Sequence, residues 1–359
     1  MTAPSLRAPS EVAWFSALCD DDYRWLGVTD PTLRSSFVHC ANIVTTAERS
    51  GFDNVLLPSG YDLGIDPVAF AGGVAPMTER IRMLVAVRCG ELWPPQLARQ
   101  LATLDRMLGG RLTINIISSD LPGAPIASEP RYARSREVMS ILRTMLRGES
   151  LDHHGEHYDL VLEPPRVARD AAAARAGEAP PFYFGGMSEP ARETAAEHAD
   201  VFLMWPDTIS GLSATIDDMT SRANLHGRAL RFGYRVHVVV RETESEARAA
   251  AFELVSRLEP ETGEAIRQRS LDASSVGVAQ QADLRDRADA DGFVEANLWT
   301  GIGRARSGCG AAIVGDPDQV IAKLREYEAL GISSFILSGY PHREECELVA
   351  RHVVPALRG

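Results

Sequence analysis

Eight short apolar runs, separated by segments with helical periodicity, constrain the fold of this chain more than any other feature. They lie at 11–18, 54–58, 82–88, 112–118, 182–185, 200–205, 232–240 and 333–339. Most are near-continuous rather than alternating, as strands buried on both faces are. Between them, 94–108 carries Leu97, Leu101, Leu104 and Leu108 on one stripe, opens with Pro94-Pro95 and stops at Gly109-Gly110. Asp316-Pro317-Asp318-Gln319 has the pattern of an N-cap followed by Pro and opens a helix reaching Leu330. Strand and helix alternating eight times predict an α/β fold, a (β/α)8 TIM barrel. An open doubly wound sheet competes, but no GxGxxG follows the first run. Length alone would allow two domains, yet barrels often occupy a whole chain of 359 residues. The expectation is one domain over 1–359 with insertion segments. Residues 162–181 read as a surface excursion. Residues 259–306 are polar, charged and Gly-bearing, as a lid would be.

Composition narrows the partners. The formal charge is −12 and is spread along the chain, which argues against a nucleic-acid partner. The five cysteines form no CxxC, so a disulfide framework is not expected and a reducing, cytoplasmic setting is. Met1–Ser10 lacks an apolar signal core, and no run approaches the length of a membrane span.

Chemistry in a barrel sits at the C-terminal ends of its strands. Arg235 and His237 are two apart in one run and so share a face. Tyr340 and His342 follow another. Trp205 and Arg88 end two more. This is a polar constellation with cationic bias, able to hold an anionic head group or to serve as ordinary salt bridges. Phe184-Gly185-Gly186-Met187-Ser188 is a strand, a Gly pair and a helix start. It reads either as a phosphate site on backbone N–H groups or as a plain turn with an N-cap Ser. Gly301-Ile302-Gly303-Arg304-Ala305-Arg306 matches neither a Walker loop nor a dinucleotide fingerprint. It is either a loop that closes on an anion or a solvated linker. His153-His154-Gly155-Glu156-His157 matches no zinc spacing, and Gly155 makes it a turn, so no metal is expected. Cys19 is a possible reactive thiol with no evident base.

Five stretches carry a family likeness: Ala98–Arg106, Tyr183-Phe184-Gly185-Gly186, Arg231–Val238, Asn297–Gly303 and Ser338–His342. In that order they resemble the bacterial luciferase-like flavin-dependent monooxygenases, and within them the alkanesulfonate monooxygenase group. The resemblance implies reduced FMN with O2, a separate NAD(P)H-dependent flavin reductase, and C–S cleavage of a small sulfonate to sulfite and an aldehyde. It implies a homo-oligomer, a dimer or tetramer. It assigns Arg235, His237, Tyr340, His342 and Arg306 to the active site, with Arg306 closing over substrate. A protonated His237 would join the two arginines on the head group. Gly185, Gly186, Met187, Ser188 and Ser118 would hold the cofactor, and Trp205 and Asp62 would meet substrate. The chain departs from the family where Cys19 replaces a His, where Leu63-Gly64 lacks a nearby Cys, and where Ser118-Ser119-Asp120 replaces Thr-Gly-Gly. Asp62, Asp66, Ser119 and Asp120 add hydrogen-bonding capacity there. A hydroxylated acceptor is expected, and the branch acting on sulfoquinovose is compatible. A barrel using deazaflavin F420, or one binding flavin without turnover, would share much of the pattern.

Overall fold

The computed structural model describes residues 10–269, 271 and 275–358. The reading of Met1–Ser10 therefore lies outside the described residues except for Ser10. Eight parallel strands close into a ring: β1 (Glu11–Phe15), β2 (Asn54–Leu57), β3 (Arg82–Arg88), β4 (Leu112–Ile117), β5 (Phe182–Phe184), β6 (Val201–Met204), β7 (Arg231–Val240) and β8 (Ile332–Ser338). Each pairs with the next, and β8 returns to β1 with Val12 opposite Phe335. The expected (β/α)8 barrel is thus the observed fold. Five strands end one residue before their apolar runs do, and β1 ends three before. Leu18, Ser118, Trp205 and Gly339 therefore lie outside the ladder.

Helices wrap the ring. The predicted helix spans Pro94–Met107, with Pro in its first turn and Gly109 and Gly110 beyond it at positive φ. The helix Pro317–Ala329 opens with a complete capping box between Asp316 and Gln319. Strand and helix faces meet in one large apolar layer outside the ring. Inside, Ala13, Phe15, Leu56, Leu84, Tyr183, Val201 and Ile336 form a smaller cluster. Period two then sets what lies above it. Arg88 shares the inward parity of Leu84, and Ser338 that of Ile336.

Two features were not read from sequence. Residues 151–162 hold an antiparallel hairpin, Leu151–His154 with Asp159–Leu162, and its turn is the His-rich stretch. There His153 bonds Glu137, while His154 lies exposed between Asp152 and Asp159. The second is the structure of 259–306, which contains the helices Pro260–Gln268 and Val276–Asp286 and the strands Phe293–Glu295 and Leu298–Trp299. The strands continue into Ala312–Gly315, which pairs with the upper half of β7. His237 is thereby flanked by Ala312 on one side and Ser338 on the other. Among the described residues no helix is long and apolar enough to cross a membrane.

Candidate active site

The site is built where β7 and β8 run side by side at the barrel mouth. Their register sets Arg235 opposite Ile336 and His237 opposite Ser338. Arg235 donates from Nη1 to the Ser338 hydroxyl at 2.8 Å and to the Val236 carbonyl at 3.2 Å. Its Cζ lies 4.4 Å from the centre of the Phe15 ring. Ser338 Oγ also meets His237 Nδ1 at 2.7 Å. The His237 ring stacks on Tyr340 with centroids 5.1 Å apart, and Tyr340 meets His342 edge-on at 5.0 Å. Arg306 reaches in from the insertion and donates to the Tyr340 oxygen at 2.7 Å and to Asp21 Oδ2 at 2.8 Å. His342 starts a helix, and both its backbone N–H and its Nδ1 point at Asp22 Oδ1 at 3.0 Å. The β7 pair, the β8 pair and Arg306 therefore form one constellation, joined by Phe15, Asp21, Asp22 and Ser338. Asp21 and Asp22 were missed in the sequence reading. The available signal was a run of three aspartates just past the first strand, at an end where a barrel does chemistry.

Burial is severe. Arg235 is 3% exposed, His237 and His342 are 0%. Several polar atoms there have no hydrogen-bond partner: Arg235 Nη2, His237 Nε2, His342 Nε2, Asp21 Oδ1 and, at the end of β3, Arg88 Nη1. Native interiors leave few such atoms, and each marks a place where a partner belongs. Burial pushes His237 well below the ordinary imidazole range, and the Arg235 and Arg306 charges push it further, against a small opposing effect of the Cys309 backbone. The expectation of a protonated His237 is therefore corrected: this ring is neutral near pH 7. Burial also lowers the Arg235 guanidinium, with Arg306 adding to the effect. Burial alone would raise Asp22, but His342, by its charge whenever its ring is protonated and by its hydrogen bonds, together with a hydrogen bond from His39, holds it well below the usual carboxylate range. Cys19 is pushed up by burial and by Asp21, which leaves it a poor nucleophile.

The second part of the site is the turn after β5. A Cβ on Gly185 would lie 2.5 Å from the Leu203 carbonyl oxygen, and one on Gly186 would lie 2.6 Å from Ala191 Cβ. Only Gly fits both positions. Ser188 is the N-cap of the helix Glu189–His198, yet its side chain makes no capping bond and its buried Oγ has no partner. A plain N-cap Ser would use that hydroxyl. Close backbone approach, a free hydroxyl and an uncapped helix N-terminus fit the phosphate of a flavin mononucleotide. Met187 lies between this turn and Gly277 of the insertion.

Other expected site residues sit apart. Ser118 Oγ is bonded to Ser135 Oγ at 2.7 Å. Asp62 is exposed, Asp66 caps the helix Pro67–Val74, and Asp120 is held by Arg131, so these three are not offered to the constellation. Ser119 keeps a buried hydroxyl without a partner. Trp205 packs its indole under Gly277 and Gly308, as a support for the insertion. A cleft of about 560 Å³ opens elsewhere, between the helices Pro67–Val74 and Pro94–Met107, and touches the site region only at Arg88.

Known proteins share this architecture. The luciferase-like monooxygenase family matches residues 26–334. A protein of Novosphingobium aromaticivorans named sulfoquinovose monooxygenase is 62% identical over 352 residues, covering 96% of both chains. One of the same name from Agrobacterium fabrum is 51% identical, covering 97% of this chain and 90% of its own. The solved EDTA monooxygenase of Chelativorans sp. BNC1 superposes with a TM-score of 0.75 at 16% identity, over 98% of this chain and 93% of its own, a likeness of fold. By the extent of the family match and by these two relatives, the chain belongs to the luciferase-like monooxygenases.

Proposed function

We propose that this protein is a reduced-FMN-dependent monooxygenase that cleaves the C–S bond of a hydroxylated organosulfonate, with sulfoquinovose the first candidate. Sulfite and an aldehyde would be the products. The observation that carries the reading is the set of unpaired donors in the barrel mouth. Arg235 Nη2, His237 Nε2 and Arg88 Nη1 are buried without acceptors. Leaving a charged donor unpaired inside a protein is expensive, and a sulfonate supplies three acceptor oxygens and a full negative charge. The names of the relatives at 62% and 51% identity point to the same substrate class. Asp21 Oδ1, buried and unpaired, is available to a hydroxyl of such a substrate.

Gly185, Gly186, Met187 and Ser188 would hold the FMN phosphate. Reduced flavin, when bound, supplies the electrons that activate O2, and a separate NAD(P)H-dependent reductase would deliver it. The protein's own part is to bind, orient and exclude water. Arg235 and Arg306 orient the anionic head group. His237, being neutral, contributes a hydrogen bond rather than a charge. Arg306 bridges Asp21 and Tyr340, and this bridge would latch a lid formed by 259–306 over the bound substrate. Entry of ligands then requires that bridge to open.

The test is sulfite release with FMN, NADH and a flavin reductase. Sulfoquinovose should yield sulfite at a higher kcat/KM than short alkanesulfonates. Turnover with reduced F420 but not reduced FMN would point to a hydride-transfer barrel. Flavin binding without substrate-dependent oxygen use would point to a non-catalytic flavoprotein.

A further inference from the structure

We infer that Ser338 and Asp22 are positioning residues that lock His237 and His342 in opposite tautomers, so that one imidazole faces the site as a hydrogen-bond donor and the other as an acceptor. The argument is a count of protons. The Ser338 hydroxyl is 0% exposed and meets two groups, Arg235 Nη1 at 2.8 Å and His237 Nδ1 at 2.7 Å. A guanidinium only donates, so Ser338 accepts from Arg235. The hydroxyl has one proton of its own, and His237 Nδ1 is the acceptor within reach. Ser338 therefore donates to Nδ1, which must be bare, and the neutral ring carries its proton on Nε2. If Nδ1 were protonated instead, two donors would converge on one buried oxygen and the serine proton would have no acceptor.

His342 is set the other way. Its Nδ1 faces Asp22 Oδ1 at 3.0 Å, and an ionised carboxylate only accepts. Asp22 Oδ1 also takes the His342 backbone N–H at 3.0 Å, and its Oδ2 meets His39 Nε2 at 2.9 Å. Nδ1 of His342 thus holds a proton, and in the neutral ring Nε2 is bare. The Nε2 atoms of both rings are buried without partners, and the two rings flank Tyr340. With both rings neutral, a donor and an acceptor are presented beside one phenol. A sulfonate oxygen suits the first, and a substrate hydroxyl suits the second. The protonation of each Nδ1 follows from geometry, and with both rings neutral each Nε2 follows from its Nδ1; their use on a hydroxylated sulfonate rests on the function proposed above.

Two-bond 1H–15N correlation spectra of the full-length protein, labelled at histidine nitrogens and held near pH 8, read the tautomers directly. Signals are assigned by their loss in His237→Asn and His342→Asn. The expected result is a protonated Nε2 and bare Nδ1 on His237, and the reverse on His342. Ser338→Ala should reduce the His237 tautomer preference by about tenfold, the value of one ordinary hydrogen bond, and give averaged shifts. Ser338→Thr, which keeps the hydroxyl, should restore it. A protonated Nδ1 on His237, the same tautomer on both rings, or an unchanged His237 pattern in Ser338→Ala would overturn the inference. If Ser338→Ala does not fold, the unsubstituted protein still decides it. Correct tautomers with no sulfite release would reject the desulfonation reading and leave this one standing.

Discussion

Arg235 is the residue at which binding and stability should part company. Replacing it with Met keeps most of the stem volume and removes the guanidinium. The side chain is 3% exposed, and among the described residues it forms no ion pair with a carboxylate. Its Nη1 bonds and its position over Phe15 favour the fold. Loss of one net hydrogen bond and one cation–π contact would cost about 1.5–3 kcal/mol. Against this stands a buried charge with an unpaired Nη2. Desolvation of such a group costs several kcal/mol, and replacing buried charges with apolar groups of similar volume is often neutral or stabilising. Arg235→Met should therefore be as stable as the parent or more so in urea unfolding without ligands. Binding should suffer. One charge-assisted bond to a sulfonate is worth about 1.5–3 kcal/mol. That is about 12- to 150-fold in kcat/KM for sulfite release. Loss of stability by about 3 kcal/mol with unchanged kcat/KM would refute the reasoning and make Arg235 a structural residue.

Three further outcomes are expected. His237 and His198 both have imidazoles lowered by burial, His198 to about 4, so the unfolded chain binds more protons than the folded one below pH 6.5. Stability should thus fall as pH drops from 7 to 5, by at most about 1.4 kcal/mol per pH unit for each group, and His237→Asn should flatten that slope in urea titrations. Ser188→Ala removes a buried hydroxyl with no partner, so thermal stability without flavin should hold while FMN affinity, read by equilibrium dialysis, falls about 2- to 12-fold. Arg306→Ala should leave FMN affinity nearly intact, lower the sulfite formed per O2 consumed and raise hydrogen peroxide. Unchanged coupling would remove Arg306 from the lid.

Much of this was legible in the sequence because it rests on periodicity. Strands buried on both faces read as continuous apolar runs, and the eight runs became the eight strands of the ring. Period two placed Arg235 and His237 on one face, and the turn after β8 added Tyr340 and His342. What stayed hidden depends on contacts distant in the chain. The partnership of Asp22 with His342 spans the closure of the barrel, and nothing local marks it. Ser338 looked like a strand end until the β7–β8 register set it against His237. Asp62 and Asp66 looked equivalent as loop carboxylates, but one is exposed and the other caps a helix. The protonation of His237 was misjudged because composition cannot report that the ring is fully buried beside two guanidinium groups.

The most direct measurement is the sulfite yield of the purified protein with FMN, NADH, a flavin reductase and sulfoquinovose, run beside a short alkanesulfonate and a Ser188→Ala, Arg235→Met double variant. The account predicts sulfite in proportion to sulfoquinovose consumed, a much lower yield from the alkanesulfonate, and little from the double variant. No sulfite from either sulfonate, or an undiminished yield from the double variant, would contradict it.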